Sequence, residues 1–241
     1  MKDKKILITG ARGFVGKNLT ATLLQKGYTG FVRFKEVIDI VPEIQDAPDA
    51  VELSDIKGEI SLEKVNFNYG DDEKVLKDIS LTIESGKTIA LVGPSGGGKT
   101  TICSLIPRFY DVTDGAVLID GVDVREMDFA SIYEKLGYIP QQAFLFSGTV
   151  ADNLRYGNED ATDEELWDAL EIAQSRDFVE KLPQKLESMV SQNGTNLSGG
   201  QRQRLCIARA IVKKAKFYMF DDSFSALDFI TDSKLRAQLK T

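Results

Sequence analysis

The middle of the chain reads Gly93-Pro94-Ser95-Gly96-Gly97-Gly98-Lys99-Thr100, which fits the pattern G-x-x-x-x-G-K-[ST]. An apolar run at residues 88–92 precedes this segment and predicts a buried strand, and a helix is predicted to start near Lys99. Glycines let successive backbone N–H groups turn inward around an anion. Lys99 can then bridge two phosphates, and the Thr100 hydroxyl can ligate Mg²⁺. The order of strand, loop and helix therefore predicts a phosphate-binding loop (residues 93–100) in an α/β fold.

A second apolar strand, predicted at residues 217–220, ends in a carboxylate. Asp221 follows Phe217-Tyr218-Met219-Phe220 directly. A carboxylate at the carboxyl end of such a strand can hold Mg²⁺ beside a phosphate loop. Many buried strands end in an acid, so Asp221 alone is weak evidence for a metal site. Together with the phosphate loop it is strong evidence.

The composition excludes several other kinds of site. The 241 residues include no histidine, so a Ser-His-Asp triad and a zinc site built on histidine are both excluded. The two cysteines, Cys103 and Cys206, lie far apart and predict reduced thiols. A net charge of −7 argues against a broad nucleic-acid surface. No apolar stretch is long enough for a membrane span, so we expect a cytoplasmic protein.

The remaining pattern outlines the other elements. Residues 5–9 predict a strand and residues 15–26 a helix, and residues 41–58 predict a linker. Alternating apolar residues at 60–69 and 79–83 predict two antiparallel strands. The periodicity at 163–181 and 201–213 predicts helices.

Residues 31–241 resemble the nucleotide-binding domain of an ATP-binding cassette (ABC) exporter of the multidrug type. The stretch Asn196-Leu197-Ser198-Gly199-Gly200-Gln201-Arg202-Gln203-Arg204 is similar to the signature loop of that family. Gln141 matches its Q-loop, and Ser225-Ala226-Leu227-Asp228 matches its D-loop. The resemblance implies a P-loop NTPase core, with an antiparallel β-subdomain around residues 58–90 and a helical subdomain around 148–213.

The resemblance also implies the site residues and the two cofactors, ATP and Mg²⁺. Tyr69 would stack on adenine. The expected nucleotide-binding residues are Tyr69, Gly93, Pro94, Ser95, Gly96, Gly97, Gly98, Lys99, Thr100, Thr101, Ser198, Gly199, Gly200 and Gln201. The expected metal-binding residues are Thr100, Gln141 and Asp221, and the expected catalytic residues are Asp222 and Gln141.

The resemblance implies two protein partners. In the family two such domains meet head to tail, so that Ser198, Gly199 and Gly200 contact the ATP held by the other domain. The second implied partner is the transmembrane domain of an exporter, which would place this chain at the cytoplasmic face of a membrane. From the residues alone, Ser198 is expected to cap a helix and the two glycines to leave N–H groups open to an anion.

Two departures from the family pattern predict weak or absent hydrolysis. Asp222 stands where active members usually carry glutamate, and its side chain is shorter by one methylene. The sequence given stops at Thr241, before the strand that carries the family's switch histidine. We therefore expect a nucleotide-binding domain that lacks its C-terminal part and leaves a sheet edge unpaired.

The first residues resemble a different family. Gly10-Ala11-Arg12-Gly13-Phe14-Val15-Gly16 is similar to the opening of an NAD(P)-dependent nucleotide-sugar epimerase or dehydratase. We therefore expect a partial Rossmann-like βα unit at 1–30, a linker at 31–57 and the ABC domain at 58–241, joined as a composite chain. The alternatives are an inert composite fragment and an NAD(P)-binding epimerase-like protein.

Overall fold

The computed structural model describes residues 39–52, 56–70 and 73–239. The chain divides into two units between Gln45 and Asp46. Of the first unit only residues 39–45 are described, and there the Gln45 side-chain amide donates to the Pro42 carbonyl at 2.9 Å. The predicted strand at 5–9, the helix at 15–26 and the Rossmann-like unit lie outside the described residues.

The second unit opens with a four-stranded antiparallel sheet of order β2-β1-β3-β4. Its strands are β1 (Ile60–Phe67), β2 (Leu76–Ile83), β3 (Asp114–Ile119) and β4 (Val122–Asp123). Leu62 lies opposite Leu81 on one side and Val117 on the other. The predicted antiparallel pair is confirmed, and the sheet extends past residue 90 because β3 pairs with β1.

A parallel pair of strands lies between two apolar clusters. It consists of β5 (Leu136–Ile139) and β8 (Phe217–Phe220), with Ile139 opposite Phe220. Leu136 and Met219 pack into the cluster that contains the four-stranded sheet, whereas Ile139 and Phe220 pack into the helical cluster. Helices α1 (Lys99–Leu105) and α2 (Phe129–Lys135), with a 3₁₀ turn at Val124–Glu126, contribute to the first cluster.

The predicted strand at residues 88–92 is wrong. This segment belongs to none of the strands in the described part of the chain. Ile89 and Val92 are 40% and 92% exposed, whereas Leu91 packs against the cluster that contains the four-stranded sheet. An apolar run becomes a strand only when a neighbouring backbone supplies hydrogen bonds, and β5 and β8 pair with each other instead.

The helical subdomain is built from four helices and a short antiparallel pair of strands. The helices are α3 (Val150–Arg155), α4 (Asp163–Ile172), α5 (Arg176–Glu180) and α6 (Gly199–Val212). The paired strands are β6 (Gly148–Thr149) and β7 (Met189–Val190). Single 3₁₀ turns lie at Lys185–Glu187 and Gln192–Gly194, and α7 (Phe229–Gln238) follows β8. Leu154, Leu166 and Leu205 are fully buried where these helices meet.

The helix boundaries follow local chemistry. Thr149, Thr162 and Ser198 each form a reciprocal capping box at the start of a helix. The helix predicted over 163–181 is wrong as one continuous element, because Gln174 adopts the left-handed conformation (φ 55°) between α4 and α5. A side chain at positive φ cannot continue a right-handed helix. The helix predicted at 201–213 begins earlier, at Gly199, because Ser198 caps it.

Asn153 is expected to be important for the stability of the helical subdomain. Its side chain is 1% exposed, and its oxygen accepts from the Phe146 amide at 2.9 Å. Its NH₂ group donates to the carbonyls of Phe146 and Thr149, both at 3.0 Å. Asn153→Asp keeps the shape but places a carboxylate against those carbonyls, so we expect a loss of about 2–4 kcal/mol in the free energy of unfolding, measured by urea titration.

Asn158→Asp serves as the matched control for this substitution. The Asn158 side-chain oxygen accepts a hydrogen bond from the Asp160 amide, and a carboxylate retains that role. We expect a change below about 0.5 kcal/mol. Equal losses for the two variants would refute the assigned role of Asn153.

Candidate functional site

The phosphate loop at residues 93–100 has the backbone that its glycines permit. Gly96 and Gly98 have φ of 77° and 81°, and Gly98 is the residue before α1. A Cβ at Gly98 would lie 2.5 Å from Leu76 Cδ2, so a larger residue would be strained by the positive φ and would have to displace the Leu76 side chain. The Gly97 amide donates to the Pro94 carbonyl at 3.1 Å and closes the turn. The loop therefore presents an exposed, tightly curved backbone directly before a helix.

Lys99 interacts with the backbone of this loop. Its Nζ donates to the carbonyl oxygens of Gly93 at 3.1 Å and Pro94 at 2.7 Å. The ammonium group therefore lies against the first residues of the loop, where it can transfer these hydrogen bonds to a bound anion.

Thr100 and Asp221 meet across 121 positions of sequence. The Thr100 hydroxyl donates to Asp221 Oδ1 at 2.8 Å, and the Asp221 residue is 5% exposed. The Asp221 amide donates to the Ile139 carbonyl at 3.0 Å, which continues the pairing of β8 with β5. Asp221 therefore lies at the end of the paired strands β5 and β8, where its carboxylate contacts Thr100 of the phosphate loop. A hydroxyl and a carboxylate oxygen this close are the ligand types that Mg²⁺ selects.

Asp222 and Gln141 form the next contact outward. Gln141 Nε2 donates to Asp222 Oδ2 at 3.2 Å, and both residues are exposed. Asp222 has a φ of 46°, a left-handed conformation that aspartate adopts more readily than most residues. Its carboxylate lies one residue beyond Asp221 on the same strand end. The structure thus brings together four residues predicted to act in metal binding or catalysis: Thr100, Gln141, Asp221 and Asp222.

Tyr69 lies beside the start of α1. Its hydroxyl and that of Thr101 are 3.2 Å apart, and its side chain is 37% exposed. An exposed aromatic ring fixed next to a phosphate loop offers a stacking surface for a planar base.

The signature loop begins α6 at some distance along the chain. The Ser198 side chain accepts from the Gln201 amide at 3.3 Å, and the Gln201 side chain accepts from the Ser198 amide at 2.9 Å, so the predicted cap is confirmed. A Cβ at Gly200 would lie 3.2 Å from the Ala226 carbonyl. Among the described residues, none of the hydrogen bonds of Ser198 and Gln201 reaches the phosphate loop. The structure does not join these two predicted parts of the site within one chain.

The sequence did not identify two side chains whose pKa values are raised in part by the charge of Asp221. Burial, followed by the Asp221 charge, raises the pKa of the Cys103 thiol to about 11. Burial and the same charge raise the pKa of Tyr138 to about 12. Both groups are therefore neutral at physiological pH. The only sequence signal was the position of Tyr138 on the strand that precedes Gln141.

The comparisons with known proteins now identify the class. Residues 76–225 match the ABC transporter family, so the chain belongs to that family. A smaller segment, residues 6–65, matches the NAD dependent epimerase/dehydratase family, and residues 6–38 and 53–55 of it lie outside the described residues.

Several relatives share most of this chain. It is 43% identical over 215 residues to an ATP-dependent lipid A-core flippase of Syntrophus aciditrophicus, covering 89% of this chain and 35% of the flippase. It is 40% identical over 223 residues to the uncharacterized ABC transporter ATP-binding protein YwjA of Bacillus subtilis, covering 92% and 39%. A bacterial Atm1-family ABC exporter with ATP bound superposes with a TM-score of 0.84 and 35% identity, covering 90% and 38%.

These matches define the fold as the α/β ABC ATPase fold, with its antiparallel β-subdomain and helical subdomain. The chain spans less than two fifths of the length of these relatives, at 35–39%. Within residues 39–52, 56–70 and 73–239, no helix is both long and apolar enough to cross a bilayer.

Proposed function

We propose that this chain binds Mg-ATP at the phosphate loop, as the nucleotide-binding domain of an ABC exporter. The observation that carries the proposal is the 2.8 Å hydrogen bond from Thr100 to Asp221, because it places two oxygen ligands together at the end of the loop. The residues fit the cofactor: glycine amides and Lys99 for the phosphates, Thr100 and Asp221 for the metal, and Tyr69 for the base. Mg²⁺, when bound, neutralises charge on the β- and γ-phosphates.

We expect slow hydrolysis because of the residue at position 222, which Gln141 contacts. Asp222 is the proposed general base, which accepts a proton from water as the water attacks the γ-phosphorus and the bond to the β–γ bridging oxygen breaks. Gln141 donates to Asp222 and thereby orients that carboxylate. The short aspartate side chain holds its oxygens back from the water, so we propose weak or absent turnover.

The partners follow from the family and from the separation of the two parts of the site. We propose a head-to-tail dimer in which Ser198, Gly199 and Gly200 complete the site of a second ABC domain. The wider setting proposed is an exporter, with this domain on the cytoplasmic side and a transmembrane domain as its partner. Division of the chain into 1–30, 31–57 and 58–241 belongs to the same proposal.

A thermal shift tests nucleotide binding. At a ligand concentration 100 times Kd, binding to the native state adds about 2.7 kcal/mol, which raises Tm by about 5–10 °C for a chain of this size. We expect this shift with Mg-ATP for the wild type and its loss for Lys99→Ala. Lys213→Ala is the matched control, since this lysine lies at the end of α6 and donates to the Tyr133 carbonyl.

NADH is the comparison ligand in the same assay. A shift with NADH and none with Mg-ATP would replace the proposed function with dinucleotide binding, a reading that the family match at residues 6–65 supports. No shift with either ligand would favour the inert fragment. Equal Mg-ATP shifts for wild type and Lys99→Ala would refute the assignment of the phosphate loop.

A further inference from the structure

Three aromatic rings meet beside the phosphate loop. The rings of Tyr69 and Tyr110 are perpendicular, with centroids 5.2 Å apart. Phe67 contacts Tyr69 at 4.7 Å, also perpendicular, and contacts Tyr110 at 5.7 Å with a 60° tilt. Each ring therefore touches the other two, and this triangle restricts the plane that the Tyr69 ring can adopt.

Hydrogen bonds hold the two chain segments of this triangle together. The Thr113 hydroxyl donates to Asn68 Oδ1 at 2.9 Å, and the Thr113 amide donates to the Asn66 carbonyl at 2.9 Å. These bonds join the segment after Tyr110 to the end of β1, next to Tyr69. Tyr110 and Tyr69 are thus held at a fixed separation through backbone as well as through their rings.

The two tyrosines differ from Phe67 in exposure. Phe67 is 3% exposed and belongs to the apolar core, whereas Tyr69 and Tyr110 are 37% and 44% exposed. Tyr69 is also tied to α1 through Thr101 at 3.2 Å. Tyr69 and Tyr110 therefore form an exposed aromatic surface next to the phosphate loop. Tyr110 contacts the Tyr69 ring but is not part of the apolar cluster that contains Phe67.

We propose that Tyr110 is a positioning residue for Tyr69, which holds the Tyr69 ring in the orientation that stacks on a planar nucleotide base. This inference rests on the proposed binding of Mg-ATP and adds a determinant of base affinity. Tyr110 contacts Tyr69 edge-on and Phe67 with a 60° tilt, so we assign its action to the ring rather than to the hydroxyl. The contact with Tyr110 holds the Tyr69 ring in place before the ligand binds. Less binding free energy is then lost in ordering that ring, so the affinity for the base is higher.

The test compares two ligands on the full chain by isothermal titration calorimetry. Mg-ATP uses the base and the phosphates, whereas magnesium tripolyphosphate uses the phosphates alone. We expect Tyr110→Ala to weaken Mg-ATP binding by about 3- to 10-fold, from the known strength of aromatic pairs, and to change tripolyphosphate binding by less than about 2-fold. Tyr110→Phe should restore the wild-type affinity for Mg-ATP.

A double-mutant cycle makes the positioning role specific. In a Tyr69→Ala background, Tyr110→Ala should cause no further loss of Mg-ATP affinity, because nothing remains to be positioned. Additive losses would show that Tyr110 acts independently and would overturn the proposal. Equal weakening of both ligands by Tyr110→Ala, or no weakening of either, would also overturn it.

The outcomes separate this inference from the proposed function. If the wild type binds tripolyphosphate and ATP with equal affinity, the phosphate site stands and the base-stacking inference fails. If the wild type binds neither ligand, the proposed function itself fails, and the inference fails with it.

Discussion

Replacing Asp222 with glutamate is expected to raise ATP hydrolysis about 100-fold. The added methylene extends the carboxylate by about 1.5 Å, one carbon–carbon bond. A catalytic group displaced by about 1 Å can lose a factor of about 100 in rate. Gln141 lies 3.2 Å from the present carboxylate and remains within reach of the longer one, so its donor still orients the base. The measurement is phosphate release at saturating Mg-ATP.

Two further variants define the source of any activity gained. Asp222→Asn keeps the size of the side chain and removes its basicity, so turnover should fall below that of the wild type. Asp222→Glu combined with Lys99→Ala should return to the background rate, because the new activity needs the phosphate loop. Unchanged turnover in Asp222→Glu would refute the role of this position as the base.

The second large effect is expected from Asp221→Asn. The amide oxygen can still accept from Thr100, and the side-chain volume is nearly unchanged, so the local fold should persist. The negative charge that attracts Mg²⁺ is lost, while an unfavourable charge next to the phosphates is lost as well. We therefore expect the ATP affinity measured with Mg²⁺ to fall and the affinity measured with EDTA to stay equal or rise. The ratio of these two affinities should drop about 100-fold.

Titration with a fluorescent ATP analogue, with and without Mg²⁺, measures this ratio. Asp232→Asn is the control, since Asp232 forms a surface ion pair with Arg236 at 2.7 Å on α7. Parallel losses of affinity in both conditions for Asp221→Asn would indicate a damaged fold and would contradict the metal-binding role.

Much of the architecture could be predicted because the relevant forces are local. Alternating apolar residues indicate the buried face of β1 and β2, and a continuous apolar run indicates that β8 is an interior strand. Ser198 and Gln201 record a helix start, since both partners of the capping box lie within four residues. The motifs and the family resemblance together predict the candidate site residues, and the structure places four of these, Thr100, Gln141, Asp221 and Asp222, in contacting pairs.

The rest depended on partners that are distant in sequence. Residues 88–92 have the composition of a strand, yet no strand in the described chain pairs with them. The left-handed residue Gln174 carries no glycine signal, so the break between α4 and α5 was hidden. Thr100 and Asp221 could be named from their motifs, but their 2.8 Å contact joins residues 121 positions apart and depends on the tertiary fold. Tyr110 gained its role only when folding placed it beside Tyr69.

The position of Lys99 makes nucleotide binding an exchange reaction. The ammonium already donates to the carbonyls of Gly93 and Pro94, so an incoming phosphate competes with the loop's own oxygens for the same protons. For these two hydrogen bonds, the contribution to the binding enthalpy is only the difference between phosphate and carbonyl as acceptors, which is smaller than the strength of the new contact. The loop thus keeps the Lys99 ammonium at the binding site before a ligand arrives, and the same contacts reduce the contribution of Lys99 to the affinity for any ligand.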